Sequence, residues 1–317
     1  MAATVLQEAD LQYAFENISN FRDVACSVSE SLRQRNPTGD GLGIPILPRL
    51  LFRSARPDRA SEVDLEQITK RIGIKTIVDL RSDLECHNNE ECACSDSRMS
   101  SSVGSLATWS TDVSPMAPVQ HQKRLNINLI GPRFRYGFVF GSAGWITRSK
   151  ICYYQLRGMR REVLETVGRE VFQDIGLPGF YSGLLRYSGK EITRAIKPFS
   201  YRENYPILVH CSHGKDRTGI IVALLLSLLG VDDELIIDDY TKTREGMRSQ
   251  IEEMKRDMQG TGMPEEFIDA PPEAMRMTIQ FMREQYKTPA RYLRSIGISK
   301  RRQARIIQNL TTLNHTA

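Results

Sequence analysis

The order of apolar and polar positions along the chain predicts strands that alternate with helices. Short runs of β-branched and other apolar residues, which are typical of buried strands, occur at 50–53, 74–80, 125–130 and 205–210. Residues 61–72 instead carry apolar side chains at helical spacing, with Ser61 and acidic residues at the start and Gly73 at the end, and predict a capped helix. This order indicates an α/β domain with a mainly parallel central sheet flanked by helices.

The second half of the chain is dominated by helical patterns. Residues 141–189 are helical and basic, with breaks at Gly176, Pro178 and Gly179, and residues 191–197 predict a short helix. The stretch 220–229 is almost entirely apolar, but it is too short to cross the roughly 30 Å hydrocarbon core of a bilayer. It therefore predicts a buried helix, and polar helices follow it.

A change in composition separates one domain from three less regular segments. Eight serines lie between residues 95 and 114, where neither strand nor helix periodicity continues, so residues 86–122 predict a disordered surface insertion. Residues 1–16 predict a flexible lead-in, and residues 311–317 predict a tail. The remainder, residues 17–310, is expected to form a single domain.

Composition and charge narrow the class of protein. The chain has 317 residues, 40% of them hydrophobic, which is enough apolar material for a sizeable core. Lys and Arg outnumber Asp and Glu by 43 to 38, and the net charge of +5 suits an anionic substrate. This excess falls short of the basic charge that is typical of nucleic-acid-binding proteins, so we expect no nucleic-acid partner.

The cysteine count and the first residues give an expectation for the compartment. Six cysteines are too few for a disulfide scaffold in a chain of this length. The first residues lack the basic and apolar regions of a secretory signal. We therefore expect a cytoplasmic or nuclear location and no stable insertion into a membrane.

The segment VHCSHGKDRTG, residues 209–219, carries the candidate chemistry because it joins a predicted strand to the apolar helix. Five residues separate Cys211 from Arg217, so the loop between them can turn its backbone N–H groups toward a bound oxyanion. The positive end of the following helix dipole adds to this field and favours the thiolate form of Cys211, which is a nucleophile. Arg217 supplies a planar fork that suits two phosphate oxygens.

Two further residues of this segment have predicted structural roles. Gly214 permits the backbone torsions of a tight loop. The hydroxyl of Thr218 is expected near the sulfur of Cys211, where it would stabilise the thiolate.

HCSHGKDRTG, residues 210–219, resembles the HCxxGxxR signature of cysteine-dependent protein tyrosine phosphatases. With Lys215 and Asp216 it is similar to a bacterial and fungal subgroup of that family that carries HCxxGKDRTG. Further blocks of about residues 17–310 resemble the same subgroup, and they lie at 20–23 (NFRD), 51–54, 77–82 with Glu85, 230–231, 239–240 and 292–293. The resemblance implies the cysteine-phosphatase fold, a metal-independent reaction without a cofactor, and a phosphorylated protein or phosphoinositide as substrate.

The resemblance also implies roles for single residues. Cys211 would attack phosphorus, while Arg217 and the loop amides would hold the phosphate oxygens. Asp216 is the first candidate for the general acid, and Asp79 at a strand end is the second. We predict that the phosphate and substrate also contact Ser212, His213, Gly214, Lys215, Thr218 and Gly219, with Lys215 adding positive charge at the mouth of the site.

Residues around the predicted site have more than one interpretation. Arg22 and Asp23 are expected to brace the site, and Arg81 to form an ion pair at a strand end. The basic stretch 133–161, with aromatic residues between its arginines, is compatible with binding nucleic acid or lipid headgroups. We favour a helical lid over the site, which the resemblance implies.

One cluster of cysteines resembles a metal site in composition. Cys86, Cys92 and Cys94 lie near His87, but their spacing does not match that of common zinc sites, so we expect no metal there.

Two other functions compete with a tyrosine phosphatase. One is a phosphoinositide or inositol phosphate phosphatase, which would differ in the depth of its pocket. The other is a catalytically silent module that binds phosphate, although binding alone does not need a thiolate.

Overall fold

The computed structural model describes residues 13–36, 46–82, 85–86 and 122–311. Apart from residues 13–16, 86, 122 and 311, the predicted lead-in, insertion and tail lie outside these residues, so they remain predictions.

The centre of the fold is a five-stranded sheet with the strand order β1-β2-β5-β3-β4. β1 pairs antiparallel with β2, whereas the pairs β2–β5, β5–β3 and β3–β4 are parallel. The strands are β1 (Arg22–Asp23), β2 (Leu51–Ser54), β3 (Thr76–Asp79), β4 (Lys123–Asn126) and β5 (Ile207–His210). The mainly parallel sheet that the sequence predicts is thereby confirmed.

Helices surround this sheet. In chain order the α-helices are α1 (Val24–Arg35), α2 (Glu62–Glu66), α3 (Trp145–Leu156), α4 (Arg160–Val167), α5 (Gln173–Tyr187), α6 (Gly189–Ile196), α7 (Asp216–Leu228), α8 (Asp233–Thr241), α9 (Thr243–Gly246), α10 (Ile251–Met258), α11 (Pro272–Tyr286), α12 (Pro289–Ser295) and α13 (Lys300–Thr311). Segments of π-helix occupy Gln67–Ile72, Arg133–Phe140 and Gly168–Phe172, and 3₁₀ turns occupy Lys197–Ser200, Arg202–Asn204, Arg248–Gln250 and Glu265–Phe267.

The two faces of the sheet contact separate hydrophobic clusters. Leu51, Val78 and Val209 belong to the larger cluster, which also contains the buried side chains of α7. Their neighbours Phe52 and Leu208 belong to the smaller cluster on the other face. This alternation follows from the two-residue period of a strand, and burial on both faces explains why the strands are continuous apolar runs in the sequence.

Several predicted elements are confirmed, with shifted bounds. The predicted helix 61–72 begins as α2, where Ser61 and Asp64 form a capping box. It continues as π-helix and ends at Gly73 with φ +73°. The predicted strand 125–130 is present but shifted, because β4 pairs with β3 over Lys123–Asn126. The alternating apolar residues of 125–130 are explained by burial instead. Ile127 and Leu129 are buried, although they follow the last paired residue of β4. Among the described residues, no helix is long and apolar enough to span a membrane.

Candidate active site

The loop between β5 and α7 lies at the carboxyl edge of the sheet. β5 ends at His210, the buried Cys211 follows, and α7 begins at Asp216. The parallel register places Ser54 of β2 and Asp79 of β3 beside His210, so three strands end at this edge. Ligands of open α/β sheets bind at such an edge, and the start of α7 adds its positive dipole end there.

Gly214 allows the loop to approach β2 closely. Its φ is +66°, and a Cβ atom at this position would lie 2.1 Å from the carbonyl oxygen of Ser54. Both the left-handed torsion and the close approach exclude a side chain, as the sequence predicts for a tight loop.

We expect Gly214→Ala to destabilise the protein by at least about 2 kcal/mol, because it combines left-handed strain with a clash against backbone. The measurement is the free energy of unfolding in urea. Gly73→Ala is the matched control, since Gly73 has φ +73° but its added Cβ would meet no atom within 4 Å. Equal destabilisation by the two variants would contradict the close approach.

Arg217 is buried and paired with a carboxylate from the segment that follows β3. Its Nη1 and Nη2 donate to the two carboxylate oxygens of Glu85 at 2.7 and 2.6 Å. Ser212 in the loop and Ser82 also donate through their hydroxyls to Glu85, at 2.6 and 2.8 Å. Burial alone would raise the pKa of Glu85, but Arg217 outweighs it and holds the pKa well below its usual range.

The ion pair fixes the guanidinium of Arg217 and leaves donors available. A guanidinium carries five N–H groups, and Glu85 accepts from two of its nitrogens. Burial alone would lower the pKa of Arg217, but Glu85 and Cys211 hold it above its usual value, so the side chain stays cationic. The charge therefore sits next to Cys211 in a fixed orientation. No role for Glu85 followed from its type or position, although it lies within one of the blocks that carry the resemblance.

Asp216 occupies the start of α7 and accepts from a buried tyrosine. The hydroxyl of Tyr181 donates to Asp216 Oδ1 at 2.6 Å, and Tyr240 lies 2.7 Å from the same hydroxyl. Burial raises the pKa of Tyr181 well above its usual value, so it remains a donor. The Asp216 side chain is 21% exposed, which allows a substrate or a water molecule to reach it. The sequence indicates no role for either tyrosine, although Tyr240 lies within a block that carries the resemblance.

Asp79, the second candidate for the general acid, lies in a buried cluster of charges. Its side chain is fully buried and accepts from Arg81 Nε and Nη2 at 3.0 and 2.8 Å, and from Arg124. Burial would raise its pKa, but His210 and the two arginines outweigh it and hold the pKa far below its usual range. Burial also lowers the pKa of His210, so at neutral pH the arginines keep Asp79 ionised.

Arg81 forms the strand-end ion pair that the sequence predicts. It pairs with Asp79 from the same strand end and with Asp58 from a preceding loop, donating to Asp58 Oδ1 at 3.0 Å. The cluster therefore stabilises the carboxyl ends of the strands beneath the loop.

Lys215 does not contribute charge at the mouth of the site, contrary to expectation. It is 1% exposed, and its Nζ donates to the carbonyl oxygens of Phe267 and Asp269 at 2.8 and 2.6 Å. Its ammonium also lies 3.2 Å from Asp216 Oδ1. The lysine thus links the loop to the segment before α11 and contacts the side chain of Asp216.

Thr218 and His213 are two further side chains of the predicted site. The Thr218 hydroxyl is buried without a hydrogen-bond partner among the described residues, so it donates no hydrogen bond to the Cys211 sulfur here. Such an unpaired hydroxyl is available to an anion in the loop. Burial lowers the pKa of His213 to about 4, so its imidazole is neutral at neutral pH.

A buried group of charges braces the loop from behind. Asp239 on α8 accepts from Arg22 Nε at 2.9 Å and from Arg53 Nη1 at 2.5 Å. Arg53 in turn donates from Nη2 to the carbonyl oxygen of Gly214 at 2.7 Å. The arginines hold the pKa of Asp239 below its usual range although burial alone would raise it. The sequence indicates no role for Arg53 or Asp239, although both lie within blocks that carry the resemblance.

Asn20 completes the brace, and Asp23 does not belong to it. The Asn20 side-chain amide donates to the carbonyl oxygens of His213 and Gly214 at 3.0 and 3.1 Å. Asp23 instead caps α1 by accepting from the backbone N–H of Ala25 at 2.9 Å. The predicted bracing role is therefore confirmed for Arg22, which donates to the Asn20 side chain, and is wrong for Asp23.

Of the cysteine cluster considered for a metal, only Cys86 lies within the described residues. The amide of Asn126 is 3.6 Å from its sulfur.

Comparison with known proteins decides the family. Residues 13–312 match the tyrosine phosphatase family, which is most of the chain. The chain belongs to this family. The resemblance that the loop motif indicates is thereby confirmed, and so is the expected α/β fold of a phosphatase.

Individual relatives match over shorter stretches. The triple specificity protein phosphatase PtpB of Mycobacterium tuberculosis is 32% identical over 110 residues, covering 30% of this chain and 40% of the relative. A tyrosine-protein phosphatase of Nostoc commune is 28% identical over 130 residues, covering 38% and 44%. The inositol diphosphatase SIW14 of Saccharomyces cerevisiae is 28% identical over 79 residues, covering 25% and 28%. The matches thus span less than half the length of each of these relatives.

Proposed function

We propose that the protein is a cysteine-dependent phosphatase that hydrolyses phosphomonoesters through a phosphocysteine intermediate. Phosphotyrosine in proteins is the main proposed substrate, with phosphoserine and phosphothreonine as further ones. One observation carries the proposal. Cys211 lies at the carboxyl end of the central strand, directly before the N-terminus of α7, with the fixed cation of Arg217 beside it.

The first half of the reaction transfers the phosphoryl group to sulfur. The Cys211 thiolate attacks phosphorus, the bond from phosphorus to the leaving oxygen breaks, and Asp216 gives its proton to that oxygen. The remaining Arg217 donors, the loop amides and the unpaired Thr218 hydroxyl are available to the phosphate oxygens as charge develops.

The second half releases inorganic phosphate. Asp216, now a carboxylate, accepts a proton from a water molecule that attacks phosphorus, and the phosphorus–sulfur bond breaks to regenerate the thiolate. The hydroxyl of Tyr181 and the ammonium of Lys215 both contact Asp216 Oδ1 and so fix the position of its carboxyl group.

The decisive experiment measures release of inorganic phosphate in the presence of EDTA under reducing conditions. The panel contains a phosphotyrosine peptide, a phosphoserine peptide and mono- to trisphosphorylated phosphoinositides. Fast turnover of the phosphotyrosine peptide supports the proposal. Stable phosphopeptide binding by folded wild type without turnover contradicts it and favours a silent phosphate-binding module.

A second candidate is a phosphoinositide or inositol phosphate phosphatase. The similarity to the yeast inositol diphosphatase favours it, over the stretch that this relative shares with the chain. The same panel separates the two functions, because a substrate ranking led by phosphoinositides would support the second.

We expect Asp216→Asn to reduce kcat/KM for a phosphotyrosine peptide by about 10²–10⁴-fold, because the amide cannot donate the proton that the leaving group needs. For p-nitrophenyl phosphate, whose leaving group is more acidic, the loss is smaller. Tyr181→Phe is the control, since it removes the hydrogen bond to Asp216 but keeps the carboxyl group. Equal losses for both substrates would argue against the acid.

We also propose the cytoplasm or the nucleus as the location of the protein. The described cysteines Cys26, Cys86, Cys152 and Cys211 are free thiols, which supports a reducing compartment.

A further inference from the structure

Helix α3 presents an apolar face to the solvent. Its buried residues include Thr147 and Ile151, which lie one turn apart on a single side. At about 3.6 residues per turn, Trp145, Tyr153 and Leu156 fall on the opposite side. Their exposed fractions are 78%, 53% and 89%. A surface helix normally points such side chains inward, so this orientation needs an explanation.

Cations flank the apolar face on both edges. Arg148 lies along one edge, and Lys150 and Arg157 lie along the other. Helix α3 contains no acidic residue. The guanidinium of Arg157 covers the ring of Tyr153 at 5.5 Å, and Arg160 begins the next helix.

Most of this positive charge has no carboxylate partner. Lys150 pairs with Glu170 at 2.7 Å. Arg148 donates instead to the carbonyl oxygens of Phe140 and Gly141, at 3.0 and 2.6 Å. Within the part of the chain that the structure describes, Arg157 and Arg160 form no ion pair.

We propose that this α3 face, formed by Trp145, Tyr153, Leu156 and Arg157, docks onto an anionic lipid membrane together with Arg160 at the start of α4. Exposed Trp, Tyr and Leu side chains enter the boundary between headgroups and acyl chains, and the flanking arginines contact anionic headgroups. The aromatic rings lie on the convex side of a helix rather than in a groove, which disfavours the stacking of nucleic-acid bases. The inference does not depend on the proposed catalytic function, because it rests on a different part of the molecule.

Tryptophan fluorescence tests the docking directly. The chain has two tryptophans, so the Trp109→Phe variant leaves Trp145 as the reporter. The probes are vesicles of phosphatidylcholine alone and vesicles in which phosphatidylserine makes up about a third of the lipid. We expect a blue shift of Trp145 emission with the anionic vesicles and a much smaller shift with the neutral ones. Absence of a shift with anionic vesicles would overturn the proposal.

Sedimentation with the same vesicles shows which residues contribute to membrane binding. Tyr153→Ser with Leu156→Ser, and separately Arg157→Gln with Arg160→Gln, are expected to weaken binding about tenfold or more, since each cation near the surface contributes about 1 kcal/mol. The matched controls lie elsewhere on the surface. They are the double variants Val63→Ser with Leu65→Ser and Arg301→Gln with Arg305→Gln, which remove exposed apolar and basic side chains in equal number.

If the α3 face binds something other than a membrane, these experiments give different results. Equal loss of vesicle binding in the controls would overturn the assignment to α3. A dimer in light scattering that Leu156→Ser dissociates, without vesicle binding by wild type, would assign the face to a second copy of the chain. Binding of an RNA oligonucleotide in place of vesicles would likewise overturn the proposal.

Discussion

Cys211→Ser is expected to lower phosphate release from a phosphotyrosine peptide by at least about 10⁴-fold, because the nucleophile of the covalent step is lost. The loss falls on kcat. Arg217 keeps its ion pair with Glu85, and the loop keeps its amides, so the affinity for the phosphopeptide is expected to stay within about threefold of wild type. Phosphate release and fluorescence anisotropy of a labelled phosphopeptide measure the two quantities separately.

Trapping the intermediate makes this prediction specific to the thiolate. Rapid acid quenching of wild type is expected to leave a phosphoryl group on the peptide that contains Cys211, detectable by mass spectrometry. Cys152→Ser is the matched control, because Cys152 is an exposed free cysteine outside the loop. If Cys211→Ser retained substantial turnover in EDTA, or if Cys152→Ser lost as much, the covalent mechanism would be wrong.

The sequence predicts best what depends on neighbours along the chain. The central strands and α7 are recognisable because burial on both faces leaves continuous apolar runs. The loop is recognisable because Cys211, Gly214 and Arg217 act within a few residues of one another. β1 was missed because two residues are too short to show a period.

The partners of the loop were harder to predict because they are distant in sequence. Glu85 lies 132 residues before Arg217, and Asp239 lies 186 residues after Arg53. Nothing in local periodicity connects such charges, since their proximity follows from the strand order rather than from spacing. For Lys215 the residue type itself misleads. A lysine is usually exposed, but two carbonyl oxygens compensate for the burial of this one.

Asp239→Ala is expected to destabilise the protein by about 3–5 kcal/mol, because it leaves Arg22 and Arg53 buried side by side without a counter-charge. Burial and the neighbouring Arg53 already lower the pKa of Arg22 to about 10. The melting temperature is expected to fall by about 10 °C, as measured by differential scanning calorimetry. Because Arg53 also donates to Gly214, Asp239→Asn is expected to lower kcat/KM even where the variant remains folded.

Asp238→Ala is the matched control for this prediction. Asp238 is the preceding residue and pairs with Arg35 at the surface, where such a pair contributes at most about 1 kcal/mol.

The pH dependence gives a second test. The pKa of Asp239 is lowered in the folded state, so its stabilisation is present above the unfolded pKa of about 4 and is lost as the pH falls further. The difference in stability between wild type and Asp239→Ala should therefore shrink in acid. A difference that is independent of pH, or equal to that of Asp238→Ala, would show that the buried carboxylate does not hold the two arginines behind the loop.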